Sequence, residues 1–92
     1  MQVVWTKAAL RGLWHAFDYL SEINPRAAAH LADSLLAAGD SLVNFPLRGR
    51  PVPKTPFREL LTVPPYVIRY QIIDNEVLIL RVRHAAQRPT EP

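Results

Sequence analysis

The sequence predicts a single α+β domain, with an amino-terminal strand and a helical hairpin ahead of a three-stranded antiparallel meander. Residues 7–24 and 25–45 repeat apolar side chains at spacings of three and four, which is typical of amphipathic helices. Residues 57–63 and 66–84 are apolar and β-branched, and 66–84 divides into two alternating runs, as strands do. Because helices and strands are segregated along the chain, we expect the helices to pack on one face of the sheet.

The first two elements are a short strand and a helix. Residues 2–5 are a brief apolar run, and Thr6 suits the N-cap of a helix from Lys7 to about Asn24. The helix carries one apolar stripe, which we expect to be buried, and it consists of Leu10, Leu13, Trp14, Phe17, Leu20 and Ile23.

A second helix is predicted from Pro25 towards Phe45. Proline suits the first turn of a helix, where its missing N–H is not needed, and Asn24 can cap it. The predicted buried stripe is Ala28, Leu31, Leu35, Ala38, Leu42 and Phe45.

The remaining elements are a loop and three strands. Residues 45–56 contain four prolines and one glycine, which predicts a loop. Residues 57–63 return to a strand, and Pro64-Pro65 forces a corner before the hairpin of residues 66–84.

The register of that hairpin decides which side chains share a face. A three-residue loop, Asp74-Asn75-Glu76, pairs Ile72 with Leu78 and keeps each apolar face intact. One face, expected to lie under the helices, then holds Tyr66, Ile68, Tyr70, Ile72, Leu78, Leu80, Val82 and His84. The opposite face, called here the outer face, holds Val67, Arg69, Gln71, Ile73, Val77, Ile79, Arg81 and Arg83.

The outer face is the first candidate for function. This register sets Arg69 opposite Arg81 and Arg83 opposite Val67, and like charges directly opposed are unfavourable unless they are solvated or share an anion. We expect no part of this chain to cover these arginines. A mixed basic and apolar surface suits a partner with acidic and apolar residues, although a solvated sheet face would look similar.

Composition narrows the classes of function. The chain has 92 residues, 49% of them apolar, no cysteine and a net charge of +3. Eight cations against four anions in residues 46–92 give that half +4, which favours an anionic partner, either protein or nucleic acid. No disulfide or thiolate metal site is possible. Without a signal-peptide pattern or a membrane-length apolar run, we expect a cytoplasmic protein.

Few residues have the pattern of a catalytic or ligand site. His15, His30 and His84 are far apart, so neither a metal site nor a cofactor is expected. His84 ends the last strand, where it could be a general base or a histidine that closes the core. Arg58 is expected to anchor the proline-rich loop through an ion pair or a carbonyl. Metal-free RNA cleavage would need only cations and a proton-transfer group.

A family resemblance runs over almost the whole chain. The motifs, in order, are Trp5-Thr6, Ala9 with Leu13, Asn24-Pro25, Phe45-Pro46, Gly49-Arg50-Pro51, Arg58-Glu59-Leu60, Tyr66 with Tyr70, and Leu80-Arg81-Val82-Arg83-His84. In this order the chain resembles the ParE/RelE superfamily of bacterial toxins from type II toxin–antitoxin systems. The resemblance implies one toxin domain over residues 1–92.

Two activities divide that superfamily. The RelE-like branch cuts messenger RNA on the ribosome, and its catalytic residues would correspond to Lys54, Arg58, Arg81, His84 and Arg88. Val67 stands where that branch commonly has an arginine, and no tyrosine follows Tyr70. The ParE-like branch lacks the catalytic set and poisons DNA gyrase. The incomplete set favours the ParE-like branch, which implies that the protein is not an enzyme.

Either branch implies a cognate antitoxin with an acidic, partly disordered segment. We expect it to bind Arg69, Arg81, Arg83, Val67 and Ile79, and also the helical hairpin. Contacts to the target are expected near the free end, at Arg83, His84, Gln87 and Arg88. A non-toxic binding module remains a third alternative.

Overall fold

The computed structural model describes residues 1–86 and confirms the predicted α+β class. The elements are β1 (Gln2–Trp5), α1 (Lys7–Ser21), α2 (Pro25–Asp40), a 3₁₀ turn (Ser41–Val43), β2 (Arg50–Pro51), β3 (Phe57–Val63), β4 (Tyr66–Ile73) and β5 (Glu76–His84). They form one sheet in the order β1-β5-β4-β3-β2. β1 runs parallel to β5 and the other pairs are antiparallel. β2 lies within the segment that was predicted to be only a loop.

Side-chain caps begin both helices as predicted. Thr6 Oγ1 accepts a hydrogen bond from the Ala9 amide at 3.1 Å, and Asn24 Oδ1 accepts one from the Ala27 amide at 3.1 Å. Both helices end earlier than predicted. The amides of Ile23 and Asn24 both bond to the Leu20 carbonyl, and Asn24 turns to an extended conformation in order to cap α2.

The core lies between the helical hairpin and the sheet. Leu13, Leu35, Leu42 and Tyr70 are fully buried. Three residues predicted to be buried are instead exposed, namely Trp14 (50%), Ile23 (70%) and Phe45 (63%). Ile23 and Phe45 lie beyond the ends of α1 and α2. The buried stripe of α1 is centred on the small residues Ala9 and Ala16 with Leu13, so Trp14 lies at its margin.

α1 approaches the backbone of β5 very closely at Gly12. A Cβ atom added to Gly12 would lie 2.2 Å from the carbonyl oxygen of Val82 and 3.2 Å from its carbonyl carbon. Only glycine permits this separation, because the opposing atoms belong to a hydrogen-bonded strand and cannot move aside cheaply.

The hairpin between β4 and β5 has a different register from the predicted one at its turn end. Its turn has two residues, Asp74 and Asn75, with φ angles of 50° and 62°. Such positive angles are characteristic of type I′ hairpin turns. Ile72 therefore pairs with Val77, and the predicted pairing of Ile72 with Leu78 is wrong.

A β-bulge restores the predicted register further along the strands. Tyr70 pairs with Ile79 and Arg69 pairs with Arg81, so Leu80 is an extra residue in β5. One extra residue exchanges the faces of the side chains on either side of it. Val77 and Ile79 are consequently 0% exposed in the core, and their predicted place on the outer face is wrong.

Two side chains from the sheet fix the loop between α2 and β3. Tyr70 donates its hydroxyl proton to the Pro46 carbonyl at 2.7 Å and accepts from the Gly49 amide at 2.8 Å. Arg58 donates to the Gly49 carbonyl at 2.7 Å, which confirms the predicted carbonyl anchor. Burial raises the pKa of the Tyr70 phenol above 10, outweighing the Gly49 hydrogen bond and the charge of Arg58. The hydroxyl therefore remains a donor at neutral pH.

Replacing Tyr70 with phenylalanine should lower the free energy of unfolding by about 1.5 kcal/mol, because the Gly49 amide and Pro46 carbonyl would lose a buried partner. Chemical denaturation of both proteins measures this difference. The matched control is Tyr19→Phe, at a side chain that is 66% exposed and should change stability by less than about 0.5 kcal/mol. Equal effects of the two substitutions would contradict a structural role for the Tyr70 hydroxyl.

Candidate partner-binding site

The outer face carries three arginines in the predicted register. Arg69 lies opposite Arg81, and Arg83 lies opposite Val67. The Cζ atom of Arg69 is 5.3 Å from the centroid of the Phe57 ring, a cation–π contact that fixes the guanidinium.

Glu59 supplies an internal partner for two of these arginines. It lies opposite Arg69 on β3, and its Oε2 atom is 2.8 Å from Arg69 Nη2 and 3.0 Å from Arg83 Nη2. Glu59 is 8% exposed, and the side chains of Arg69 and Arg83 are 11% and 15% exposed. The expectation that no part of the chain covers these arginines is wrong, because β3 brings a carboxylate to them.

The two arginines stabilise the ionised form of Glu59. Burial by itself raises the pKa of the Glu59 carboxyl, but the hydrogen bond and charge of Arg69, together with those of Arg83, lower it further than burial raises it. The pKa therefore lies below its ordinary value of 4.5. Glu59 consequently remains ionised at neutral pH and orients two outer-face guanidinium groups.

A half-open cavity of about 650 Å³ lies where β5 passes beside α1. β1 pairs with β5 only as far as Ile79, because the chain leaves the sheet at Thr6 and begins α1. The cavity lies beside the part of β5 that follows Ile79. Its walls carry four arginines, two histidines and two tyrosines. These are Arg11, His15 and Tyr19 of α1, Tyr66 and Arg69 of β4, and Arg81, Arg83 and His84 of β5. We call this space the α1–β5 cavity.

The residues predicted to contact the antitoxin have different positions. Arg69, Arg81 and Arg83 all line the α1–β5 cavity. Val67 lies on the outer face as predicted but is 3% exposed, so it offers little contact surface. Ile79 packs in the core beneath the helices, so its prediction as a surface contact is wrong.

His84 is exposed and does not close the core as the structural alternative predicted. Its ring meets the Tyr66 ring edge-on at 5.5 Å between centroids, and its Nδ1 atom accepts a hydrogen bond from the Ala86 amide at 3.0 Å. Of the residues predicted to contact the target, Arg83 and His84 both line the cavity. Gln87 and Arg88 lie outside the described residues.

The residues of the ribonuclease-type set do not converge. Arg58 pairs with Tyr70 on the face beneath the helices, whereas Arg81 pairs with Arg69 on the outer face. Lys54 is exposed in the loop before β3, at a φ of 63°, and does not line the α1–β5 cavity. Only Arg81 and His84 of this set line it, and Arg88 lies outside the described residues.

The sequence reasoning missed Arg11, His15, Tyr19 and Glu59. The alternation of side chains along β3 could have identified Glu59, because Glu59 shares a face with Phe57 and is the sole acidic residue of that strand. Spacings of four on α1 place Arg11, His15 and Tyr19 on one side of the helix, but only the α1–β5 contact shows what they face.

Among residues 1–86, no group of three His, Cys, Asp or Glu side chains is arranged to hold a metal ion. No helix within the same range has both the length and the apolar character needed to span a bilayer.

Known proteins resemble this chain in sequence. Residues 3–89 match the family model described as ParE toxin of type II toxin–antitoxin system, parDE. Toxin RelE2 of Caulobacter vibrioides is 50% identical over 86 residues, which cover 94% of this chain and 97% of that protein. The putative toxin Y4kP of Sinorhizobium fredii is 38% identical over 88 residues, 95% of this chain and 91% of that protein.

Solved structures share the fold. A chain of the chromosomal ParDE system of P. aeruginosa superimposes with a TM-score of 0.81 at 24% identity, covering 91% of this chain and 95% of that one. A chain of the toxin–antitoxin complex RelBE2 of Mycobacterium tuberculosis superimposes with a TM-score of 0.64 at 26% identity, covering 90% of this chain and 95% of that one.

Proposed function

The chain belongs to the ParE toxin family of type II toxin–antitoxin systems, and we propose that it inhibits DNA gyrase and is neutralised by a cognate antitoxin. The proposal assigns no covalent chemistry to the toxin. It would act by binding, and its basic side chains would contact acidic groups of its partners.

The observation that carries the gyrase proposal is the separation of Arg58 from Arg81. Cations that stabilise a phosphate transition state must converge on one phosphate group. Here the Arg58 guanidinium is hydrogen-bonded to the carbonyls of Leu47 and Gly49, and Arg81 belongs to the opposite face of the sheet. This separation supports a toxin that binds its target instead of cleaving RNA.

The antitoxin half of the proposal has separate support. The RelBE2 structure is a complex of a toxin with its antitoxin, and this chain matches one of its chains over 90% of its length. The concentration of arginines around the α1–β5 cavity suits a partner segment that carries carboxylates.

Purified toxin should block the supercoiling of relaxed plasmid by gyrase, and its induction in cells should produce a DNA-damage response. The supercoiling assay measures the first effect, and a reporter gene for DNA damage measures the second. Toxin pre-mixed with its antitoxin is the control and should leave supercoiling normal. Full supercoiling at a saturating concentration of free toxin would reject gyrase as the target.

A second candidate is a ribosome-dependent endoribonuclease. It is favoured by the 50% identity to a relative named Toxin RelE2 and by the presence of Arg81 and His84 in one cavity. Primer extension on messenger RNA after induction should then reveal new cuts at codons in the ribosomal A site. Intact transcripts in growth-arrested cells would exclude it, and harmless overexpression without antitoxin would exclude both candidates.

A further inference from the structure

The exposed side of α1 carries its charges in an order that is unfavourable for an isolated helix. Its cations, Lys7 and Arg11, lie in the amino-terminal half. Its anions, Asp18 and Glu22, lie at the carboxyl-terminal end, where Glu22 is the C-cap. A helix has a partial positive charge at its amino terminus and a partial negative charge at its carboxyl terminus. Lys7 and Glu22 therefore each meet a like partial charge.

Like charges are also neighbours along α1. Lys7 and Arg11 are four residues apart, and so are Asp18 and Glu22. Side chains with this spacing are adjacent on a helix surface, so each pair repels. All four residues are exposed, and within residues 1–86 none of their side chains forms an ion pair. The described part of the chain thus leaves this charge pattern without compensation.

The four charged residues lie on one side of the helix. With 3.6 residues per turn, they fall within an arc of about 60° around the helix axis. Trp14 lies at the edge of this arc and is 50% exposed. Exposed aromatic side chains are enriched where proteins contact each other. The name α1 stripe is used below for Lys7, Arg11, Trp14, Asp18 and Glu22.

The charges of the α1 stripe are symmetric about a midpoint just after Trp14. Lys7 lies as far before this midpoint as Glu22 lies after it. Arg11 likewise lies as far before it as Asp18 lies after it. A two-fold axis through the midpoint generates a second helix that runs antiparallel to the first. It brings Arg11 level with Asp18 of the second copy, and Lys7 level with its Glu22.

This order of charges selects among possible partners. A nucleic acid, which carries a negative charge at every nucleotide, would be repelled by Asp18 and Glu22. A fitting partner must present anions to the first half of the stripe and cations to the second, over roughly 22 Å. The stripe itself has this order when it is turned about the two-fold axis. Charge complementarity therefore favours a second copy of the same chain.

We propose that the free toxin forms a symmetric homodimer in which two α1 helices pack antiparallel through the α1 stripe. The ion pairs between the copies offset the repulsion within each helix, and the two Trp14 side chains pack beside the axis. One pair of four-turn helices forms an interface of less than about 1,200 Å², so the dimer is weak and reversible. The inference goes beyond the proposed function and depends neither on gyrase nor on an antitoxin.

Sedimentation of full-length toxin over a wide range of concentrations tests the proposal. The wild type should change from monomer to dimer as the concentration rises. Arg11→Glu places a carboxylate opposite Asp18 of the second copy, and symmetry repeats this repulsion. Its dissociation constant should therefore rise at least about tenfold. Asp18→Arg should have a similar effect, because it sets two guanidinium groups against each other.

The two variants should rescue each other when they are mixed. In a mixed dimer the new carboxylate of one chain faces the new guanidinium of the other, and the native Arg11–Asp18 pair is kept on the other side of the axis. An equimolar mixture should therefore dimerise within about twofold of the wild type. Simple loss of a favourable contact would not give this recovery.

The matched controls lie on α2. Arg26→Glu and Asp33→Arg make the same changes of charge at exposed positions that are also seven residues apart. Each should dimerise within about twofold of the wild type. Because all four substituted residues are exposed, the variants should fold normally, and thermal unfolding checks this.

Cross-linking locates the interface independently. The chain has no cysteine, and the exposed residue His15 would lie beside the two-fold axis. A short bismaleimide should therefore link two copies of His15→Cys. His30→Cys, at an exposed position on α2, is the control and should remain largely unlinked.

Three results would overturn the inference. The first is a wild type that stays monomeric at every concentration. The second is an equimolar mixture of Arg11→Glu and Asp18→Arg that dimerises no better than either variant alone. The third is equal cross-linking of His15→Cys and His30→Cys. All these measurements use the toxin by itself, so failure of the gyrase proposal leaves them unaffected.

Discussion

Replacing Glu59 with glutamine should lower the free energy of unfolding by about 3 kcal/mol, because it removes the carboxylate that two largely buried guanidinium groups share. Oε2 of Glu59 accepts hydrogen bonds from both Arg69 and Arg83, and an amide oxygen would bond to either more weakly. Urea denaturation at neutral pH measures the difference. Asp33→Asn is the matched control at an exposed position on α2 and should change stability by less than about 0.5 kcal/mol.

The pH dependence of the same pair has a definite sign. Because the pKa of Glu59 in the folded protein lies below its ordinary value of 4.5, the unfolded chain binds more protons in the window between the two values. The contribution of ionised Glu59 to the free energy of unfolding is complete above about pH 4.5, and it is lost as the pH falls through the lowered pKa. The stability difference between wild type and Glu59→Gln should therefore narrow in that acidic window. An unchanged difference across it would contradict the ion pair.

Replacing Gly12 with alanine should destabilise the protein by about 2 kcal/mol, opposite in sign to the usual effect of this substitution inside a helix. Alanine normally gains helix propensity, but here its Cβ atom would lie 2.2 Å from the Val82 carbonyl oxygen. α1 must then move away from β5, and this movement opens the core around Leu13. Thermal or chemical unfolding measures the loss.

The control for Gly12 separates helix propensity from packing. Ala37 is exposed on α2, and Ala37→Gly should cost up to about 1 kcal/mol through propensity alone. If Gly12→Ala proved as stable as wild type or more stable, the close approach of α1 to β5 would be contradicted.

Local sequence signals predicted both helices and every strand except β2, in their observed order. The caps at Thr6 and Asn24 fixed where the helices begin, because their side chains bond to amides only three residues away. The ends of the helices were less predictable, because neither Ser21 nor Asp40 is followed directly by glycine or proline.

The hairpin illustrates what local pattern could not predict. Asp74 and Asn75 form a two-residue turn, and a bulge at Leu80 then restores the pairing of Arg69 with Arg81. A three-residue loop without a bulge gives the same pairing of the arginines. The apolar pattern therefore could not distinguish this register from the observed one, which combines a two-residue turn with a bulge. The two registers differ only in which of Val77, Leu78 and Ile79 face the helices, and core packing decides that.

The amino-acid sequence by itself determined the α+β order of elements, the capped starts of both helices, and the alternation that places Arg81 and Arg83 on one face of β5. These features depend on interactions between neighbours in the chain or on a period of two. Only the tertiary structure decided that Glu59 holds Arg69 and Arg83, and that Arg11 and His15 face β5 across a cavity. Such contacts join residues that are distant in the chain, and their geometry depends on how closely a helix can approach a strand.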